Sequence, residues 1–448
     1  MRYQNWRQNC GGVLPALIGL TALACGPMTT AGEASEQAVT AECDQDGDST
    51  LGSSDQVLEW NQVFIDTLIA TRTANSLSQR LGAIVHTAIF DAYNGIERRY
   101  TPIFVHDEAP RGASPRAAVI AAAYTSLVGL FPDQTARLDG AYAASLAALR
   151  EDCGSGGSRK RGIAWGSLVA ERVLAWRATD GFGSYPAFIG GTAEGQWRPT
   201  PPTFAPMSSQ GLAFTAMFVL DSNTQFRPAF PRGLNTQTYT DDFNTVNALG
   251  RKTGSSRTPD QSAMALFWDG NASVHWNQAA NQIARANERS ISDNSRMLAV
   301  LNIAMADTAF TTWSAKRFYG ADATAVTWRP VTSIPLADTD GNPDTASDPA
   351  WLPLIDTPSH PEYPAGHPSL NGAAATVLLL HFEDAQTFTV TTAGQPNRIY
   401  TNISRARQDG NDARIWGGMH YPSTVVVSDR EGEDIAEYVN RNAMQALD

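Results

Sequence analysis

The sequence predicts an all-α protein, a large helical bundle with a long irregular loop region in its C-terminal third. From Gln56 onward, apolar residues recur at the three-and-four spacing of packed helices. The alternating pattern of half-buried strands is nearly absent. Between Gly320 and Gly366 the helical pattern gives way to Pro, Asp, Thr and Gly. An irregular connection of that length inside a compact domain is usually functional.

Residues 1–25 are predicted to be a signal peptide rather than part of the fold. Arg2 and Arg7 form a positive start, an apolar run follows, and small residues precede Cys25. The run is too short to span a bilayer, so no integral membrane span is expected. Two alternatives stay open at Cys25, an ordinary cleaved N-terminus or a lipid anchor. Both predict an exported protein, periplasmic or extracellular.

Residues 26–55 are predicted to be a flexible acidic linker, because small polar residues cannot bury a core. Four of its residues have the spacing of a calcium loop, namely Asp44, Asp46, Asp48 and Asp55. Ser49 stands where that loop needs glycine, so a solvated linker is the better interpretation. In an oxidising compartment, Cys43 and Cys153 are expected either to form a disulfide or to remain two thiols.

Residues 56–448 are predicted to form one all-α domain. Its helical stretches cover residues 57–71, 80–96, 116–130, 138–149, 161–176, 261–284, 296–318 and 429–447, with an alanine-rich helix after His367. His86 and Asp91 are five residues apart and off a common helix face, so we interpret them as buried hydrogen-bonding residues. The formal net charge of −12, without any basic run, argues against a nucleic-acid partner.

Three short segments carry arginines and histidines that suit a tetrahedral oxyanion. They are WRP at residues 328–330, YPAGH at 363–367 and ARIWGGMH at 413–420. In the second segment, Gly366 permits close approach of the backbone, and Pro368 suits the first turn of a helix. The free amides of that helix N-terminus would then face an anion beside His367.

In the third segment, Arg414 and His420 are six residues apart, which on a continuous helix separates them by about 240°. Gly417 and Gly418 allow the chain to turn and bring both side chains to one point. Arg329 and Arg414 supply planar, permanently charged groups that match an oxyanion. Each residue alone is ordinary, and the combination favours an anion pocket.

The three segments resemble the signature shared by vanadium-dependent haloperoxidases and type-2 phosphatidic acid phosphatases. That signature is a lysine followed by Arg-Pro, then Pro-Ser-Gly-His, then Ser-Arg, three residues, Gly, one residue and His. The context from WRPVTSIPLADTDGNPD to HPEYPAGH, with AIVHTAIFDAYNGI upstream, resembles the exported bacterial haloperoxidase-like branch. The similarity covers residues 56 to 440. It implies two packed helical bundles with the pocket at one end of the core.

The resemblance implies a role for each matching residue. His420 becomes the nitrogen ligand to vanadium in bound vanadate, and His367 becomes the acid–base group near the apical oxygen. Arg329 and Arg414 become the clamps of the oxyanion, helped by the Gly366 amide.

Three positions depart from the family pattern. Ala365 replaces the serine before Gly-His, and Ala413 replaces the serine before the second arginine. The family lysine lies seven residues before the first arginine, where this chain has Asp322. Lys316, thirteen residues before that arginine, restores the spacing if GADATA is an inserted bulge. Lys316 is therefore the expected third cation, with Arg317 as its rival and a site without a third cation as another alternative.

Trp313 and His360 occupy positions that resemble the halide-side wall, and a histidine there is more similar to bromide-oxidising than to chloride-oxidising members. The leading hypothesis is a vanadate-dependent haloperoxidase that uses hydrogen peroxide and a halide to make hypohalous acid for a small organic acceptor. One alternative is an acid phosphatase with His420 as nucleophile and His367 as the acid. Another is an exported binding protein with a decayed site. The sequence leaves the oligomeric state open.

The stretch DTDGNPD at residues 338–344 has its glycine in the fourth position instead of the sixth. Turns formed by Asp and Asn side chains explain it better than a calcium loop, so no calcium is expected there.

Overall fold

The computed structural model describes residues 55–149, 156–183 and 185–447. These residues belong to one compact unit, Gly47–Asp448. The predicted signal peptide, the lipid anchor at Cys25, the Cys43–Cys153 pair and the linker up to residue 54 lie outside the described residues.

The described residues form thirteen α-helices and one β-hairpin, so the predicted all-α class is confirmed. The helices are α1 Gln56–Ala70, α2 Asn75–Glu97, α3 Pro115–Leu130, α4 Thr135–Ala148, α5 Gly156–Ala178, α6 Gln237–Gly250, α7 Pro259–Phe267, α8 Ala272–Ala286, α9 Ile291–Ala321, α10 Pro330–Ser333, α11 Gly366–His381, α12 Ile403–Trp416 and α13 Pro422–Asn442. In the hairpin, β1 Phe388–Val390 pairs antiparallel with β2 Arg398–Tyr400. No described helix is long and apolar enough to cross a membrane.

The N-terminal helices pack through small and aliphatic faces, with α2 against α3 and α5. Asp55, the last residue of the predicted linker, caps α1 by accepting from the backbone amides of Val57 and Leu58 at 2.8 and 3.1 Å. On α2, His86 Nε2 lies 3.0 Å from Asn61 Oδ1, and the Asp91 carboxylate accepts three backbone amides from residues 103–105. Both side chains are fully buried, as predicted.

Helix α9 is the central element of the fold. It packs against α2 on one side and against α11 and α13 on the other. Because neighbours surround it, residues 297–316 are buried on every face. It carries Trp313 and Lys316 near its C-terminal end, which places both beside the loop that leads to α11.

One predicted helix is wrong. Residues 261–284 form two helices, α7 and α8, separated by a turn at residues 268–271. Asn271 caps α8 by accepting from the amides of Ser273 and Val274 at 3.0 and 3.4 Å, so the second helix starts afresh. The turn matters for function because Asp269 and Gly270 both reach the candidate site.

The connection from α9 to α11 is irregular, as predicted, apart from the four residues of α10 and a single 3₁₀ turn at Ala337–Thr339. Within DTDGNPD, Asp340 Oδ1 accepts from the Asn342 amide at 2.8 Å, and Asn342 Oδ1 accepts from the Asp344 amide at 3.0 Å. These are the expected side-chain turns. They hold the connection against α6 through Asn342, which donates to Thr240 Oγ1 at 2.8 Å.

Candidate active site

Arg329 links the first and third motif segments to His360 in the interior of the protein. Its Nε donates to the His360 carbonyl at 2.9 Å, and its Nη2 donates to His360 Nδ1 at 2.8 Å. Its Nη1 lies 2.8 Å from the Met419 carbonyl and 3.0 Å from His420 Nε2. The side chain is fully buried. Because guanidinium only donates, His420 Nε2 carries a lone pair, whereas His360 Nδ1 also lies 3.3 Å from the Pro361 carbonyl and has a partner of each kind.

His420 is oriented by Glu362, a buried carboxyl group that the sequence analysis did not single out. Glu362 Oε1 lies 3.1 Å from His420 Nδ1 and accepts from the Tyr421 amide at 3.1 Å, so His420 Nδ1 is the donor. Thr424 Oγ1 donates to the other carboxyl oxygen at 3.0 Å. The lone pair of His420 is thus fixed on Nε2, the nitrogen that faces Arg329. The sequence signal was that Glu362 is the only acid between Asp356 and Glu383.

The double glycine bends the chain between Arg414 and His420 as predicted. Helix α12 ends at Trp416, and Gly418 has a φ of 76°, in the left-handed region. The amides of Met419 and His420 then return to the Arg414 carbonyl at 2.9 and 3.3 Å. A Cβ at Gly418 would lie 2.7 Å from the Gly250 carbonyl oxygen, so only glycine fits this turn.

Arg414 is paired on one side only. Its Nη1 donates to Asp269 Oδ1 at 3.1 Å, while its buried Nε has no partner among the described residues. Asp269 comes from the turn between α7 and α8, which the sequence analysis treated as continuous helix. A buried donor without an acceptor is costly, so an acceptor at this position would stabilise the site.

Lys316 is the third buried cation, and Arg317 points elsewhere. Lys316 Nζ donates to the carbonyls of Pro361 and Glu362 at 2.6 and 3.3 Å, and the side chain is fully buried. Burial lowers its pKa well below the usual value, and Arg329 lowers it further. Arg317 Nη1 instead donates to Gln210 Oε1 at 2.9 Å. Asp322, at the position of the family lysine, forms a local turn with Thr324.

Helix α11 begins at Gly366, and the amides of Gly366 and His367 have no hydrogen-bond acceptor among the described residues. A Cβ at Gly366 would lie 3.3 Å from the Trp313 ring. The Trp313 ring also packs against the His360 ring, with 5.3 Å between centroids. The two predicted halide-side residues are therefore neighbours. Ala365 is fully buried, and its amide donates to Ser428 Oγ at 2.7 Å.

His367 makes its contacts through Nε2, which lies 3.2 Å from the Gly270 carbonyl oxygen and 3.3 Å from Asn75 Nδ2. Asn75 and Gly270 both lie outside the motif segments and were not predicted. Burial lowers the pKa of His367 well below its usual value, and the nearby Arg414 charge lowers it further. Burial is also the main cause that lowers the pKa values of His360 and His420.

The site fits a tetrahedral oxyanion. Three basic side chains, Lys316, Arg329 and Arg414, lie here with the carboxyl groups of Glu362 and Asp269, which contact His420 and Arg414. Burial lowers the pKa of Arg329 to about 9. The free Arg414 Nε and the unpaired amides at the start of α11 are donors awaiting an acceptor. His420 Nε2 carries a lone pair and lies 3.0 Å from Arg329 Nη1.

The structure is similar to three solved structures of bacterial enzymes. One is the first bacterial vanadium-dependent iodoperoxidase, at 21% identity over 89% of this chain and 99% of that chain, with a TM-score of 0.76. The others are holo and apo forms of a bacterial vanadium-dependent chloroperoxidase, each at 16% identity over 82% of this chain, with a TM-score of 0.63. These alignments cover 92% and 95% of the two chloroperoxidase chains. No curated protein matches the sequence.

Residues 296–448 match the family model of the VCPO second helical-bundle domain. This part contains all but the first five residues of α9, the whole of α10 to α13 and all three motif segments. Fold and family match agree with the resemblance read from the sequence. The chain therefore has the fold of the vanadium-dependent haloperoxidases, and its residues 296–448 match the second helical-bundle domain of that family.

Proposed function

We propose that the protein is a vanadate-dependent haloperoxidase, and one observation supports this most directly. The His420 Nδ1–H group donates a hydrogen bond to Glu362, which leaves the Nε2 lone pair facing the buried Arg329 guanidinium at 3.0 Å. A neutral histidine whose second nitrogen is held by a carboxylate is the usual arrangement of a metal-binding imidazole. The solved iodo- and chloroperoxidases of the same fold are vanadium-dependent by name.

In this proposal, bound vanadate supplies a Lewis acid that activates hydrogen peroxide toward halide without changing its own oxidation state. The chain's residues do the rest. His420 Nε2 would bind the vanadium, and Lys316, Arg329 and Arg414 would stabilise the charge on its oxygens. The Gly366 amide adds one neutral donor. His367 holds or moves a proton at its free nitrogen, Nδ1.

The halide is the open part of the proposal. Trp313 and His360 form the wall that the family resemblance assigns to the halide side, and bromide stays the predicted substrate over chloride. The known relatives include both an iodo- and a chloroperoxidase, so iodide belongs in any test. The predicted signal peptide supports a location outside the cytoplasm, where hydrogen peroxide, halide and a small organic acceptor would meet the enzyme.

The decisive experiment adds vanadate to metal-free protein and measures peroxide-dependent halogenation of a dye with iodide, bromide and chloride. We expect activity to rise with vanadate and to fall when phosphate competes. His420→Ala should abolish it, while His106→Ala, at an exposed position, should not. Hydrolysis of p-nitrophenyl phosphate without halogenation would show that the protein is a phosphatase. Anion binding without either activity would make it a binding protein.

A further inference from the structure

His367 has two neighbours at one nitrogen with opposite hydrogen-bonding requirements. Nε2 lies 3.2 Å from the Gly270 carbonyl oxygen, which only accepts, and 3.3 Å from Asn75 Nδ2, which only donates. A neutral imidazole nitrogen is either an N–H donor or a lone-pair acceptor. Only one of the two contacts is therefore a hydrogen bond at any moment, and the site provides a partner for each tautomer.

The orientation of the Asn75 amide is fixed by the backbone. Its Oδ1 accepts from the Ala272 amide at 2.8 Å and from Gln79 Nε2 at 3.3 Å. Rotating the amide by half a turn would place its NH₂ group against the Ala272 N–H, so the observed orientation is the only satisfied one. Asn75 is the first residue of α2, and Ala272 is the first residue of α8. The two helix starts thus aim the Nδ2 donor at His367.

The Gly270 carbonyl is held equally firmly. Asn271, the next residue, donates to the Thr73 carbonyl at 3.1 Å and to Ser78 Oγ at 2.6 Å, which ties the turn to the start of α2. A Cβ at Gly270 would lie 2.6 Å from His275 Nε2, so the backbone packs as closely as glycine allows. Neither neighbour of His367 Nε2 can move away easily.

We propose that Asn75 is a positioning residue which, together with the Gly270 carbonyl, holds His367 in two exchangeable tautomers. When Nε2 carries the ring proton and donates to Gly270, Nδ1 has a lone pair; a proton taken there gives imidazolium, which returns the same proton from Nδ1. When Nε2 accepts from Asn75, Nδ1 carries the ring's one proton and serves the pocket as a hydrogen-bond donor without losing it. Nδ1 has no partner among the described residues, which leaves it for the pocket. The inference rests on the proposed acid–base role of His367.

The surrounding positive charges destabilise the imidazolium form of His367. Arg414 and Arg329 face His367 from α12 and from the start of α10, and the His275 and His360 rings are its other titratable neighbours. Asp269 lies behind Arg414 and compensates part of its charge. An imidazolium at His367 would be repelled by the charges of Arg414 and Arg329, and its Nε2–H would face the NH₂ group of Asn75. The proton at Nδ1 is thus easily returned after it has been taken.

The test is Asn75→Asp, which keeps an oxygen for the Ala272 amide and replaces only the donor that faces His367. An acidic residue in the first turn is also favourable for α2, so the variant should fold. Nitrogen-15 NMR of the imidazole, with His367 assigned by its loss in His367→Asn, measures tautomer and titration midpoint without vanadate. We expect both tautomers in the wild type, and in the variant the Nε2–H form with a midpoint at least one pH unit higher.

Two further variants separate position from charge. Asn75→Ser removes the donor without adding charge and should also favour the Nε2–H form, with a smaller rise in midpoint. Ser76→Asp places the same charge on a neighbour whose hydroxyl contacts Ser209 Oγ at 2.6 Å, and it should leave the tautomer ratio unchanged. A single tautomer in the wild type that neither Asn75 variant alters would overturn the proposal.

The outcome is independent of the enzyme's identity. If Asn75→Asp shifts the His367 tautomer but no halogenation is found in the wild type, the positioning role stands and the haloperoxidase assignment fails. If halogenation is found and the Asn75 variants do not change the tautomer of His367, the haloperoxidase assignment stands and the positioning role fails. In an active enzyme, the pH profile of kcat for Asn75→Asp should move in the same direction as the NMR midpoint.

Discussion

Replacing Glu431 with glutamine should stabilise the protein relative to wild type as the pH rises from 5 to 8. The carboxyl group is fully buried between α9, α11 and α13, and its Oε2 accepts from Thr312 Oγ1 at 3.0 Å and from Ser369 Oγ at 2.8 Å. Its Oε1 has no partner among the described residues. Burial raises its pKa from 4.5 to about 8, against the opposing effects of the two hydroxyls and Lys316.

The sign of the effect follows from proton counting. Between pH 4.5 and about 8 the folded protein keeps this proton and the unfolded chain releases it, so the free energy of unfolding falls as pH rises. Over pH 5 to 8 the loss is about 3.5 kcal/mol, and above the folded pKa no more is lost. Glutamine keeps the shape and an acceptor oxygen but cannot ionise. The difference between variant and wild type should therefore grow by about 3 to 4 kcal/mol over this range.

Equilibrium urea unfolding at pH 5, 6, 7 and 8 measures this difference, and the other buried titratable groups cancel because both proteins contain them. Infrared spectroscopy supplies a second readout, since the carbonyl band of a protonated carboxylic acid should disappear in Glu431→Gln. Glu437→Gln, on the same helix and partly exposed, is the matched control. Parallel stability curves for the two variants would show that Glu431 is ionised in the folded protein and that the argument from burial is wrong.

Three further predictions concern the pocket. Glu362→Gln should weaken vanadate binding about tenfold or more, because a charge-assisted hydrogen bond to the His420 ring becomes a neutral one. Isothermal titration calorimetry measures the affinity. An unchanged affinity would contradict the orienting role of Glu362. Lys316→Ala should weaken vanadate binding by roughly 1.5–3 kcal/mol and Arg317→Ala much less, and the reverse order would transfer the role to Arg317. Ala365→Ser should tighten binding by a few-fold up to about tenfold if the new hydroxyl reaches the anion, and no change would show that it does not.

The fold was predictable where helices are apolar on a wide face. Helix α9 is buried on every face over residues 297–316, and the apolar residues at three-and-four spacing over residues 296–318 predicted it. Helices α6 and α12 were missed because their sequences, QTYTDDFNTVNALG and ISRARQDGNDARIW, are mostly polar and bury only a narrow stripe. The break at residues 268–271 was missed because apolar residues on both sides continue the three-and-four spacing. Asn271, a strong N-cap residue directly after glycine, was the available stop signal.

The site was predictable as far as local motifs reach. Neighbouring glycines and prolines, together with the charged residues themselves, predicted four site residues: Arg329, Gly366, Arg414 and His420. The choice between Lys316 and its neighbour was a structural question, because adjacent helical residues point about 100° apart and only packing decides which one is buried. Asp269 and Asn75 lie more than a hundred residues from the side chains they contact, and no spacing rule connects them.

The groups that form the pocket come from two parts of the chain, one before residue 296 and one after it. The groups that would hold an anion's charge lie after residue 296, whereas the Gly270 carbonyl and the Asn75 amide, which govern the proton on His367, lie before it. Exchange of the part before residue 296 between relatives, at a junction in the α8–α9 connection, would replace Asn75, Gly270 and Asp269 and keep Lys316, Arg329, Arg414 and His420. Such chimaeras would separate the groups that contact His367 from the basic groups of the pocket.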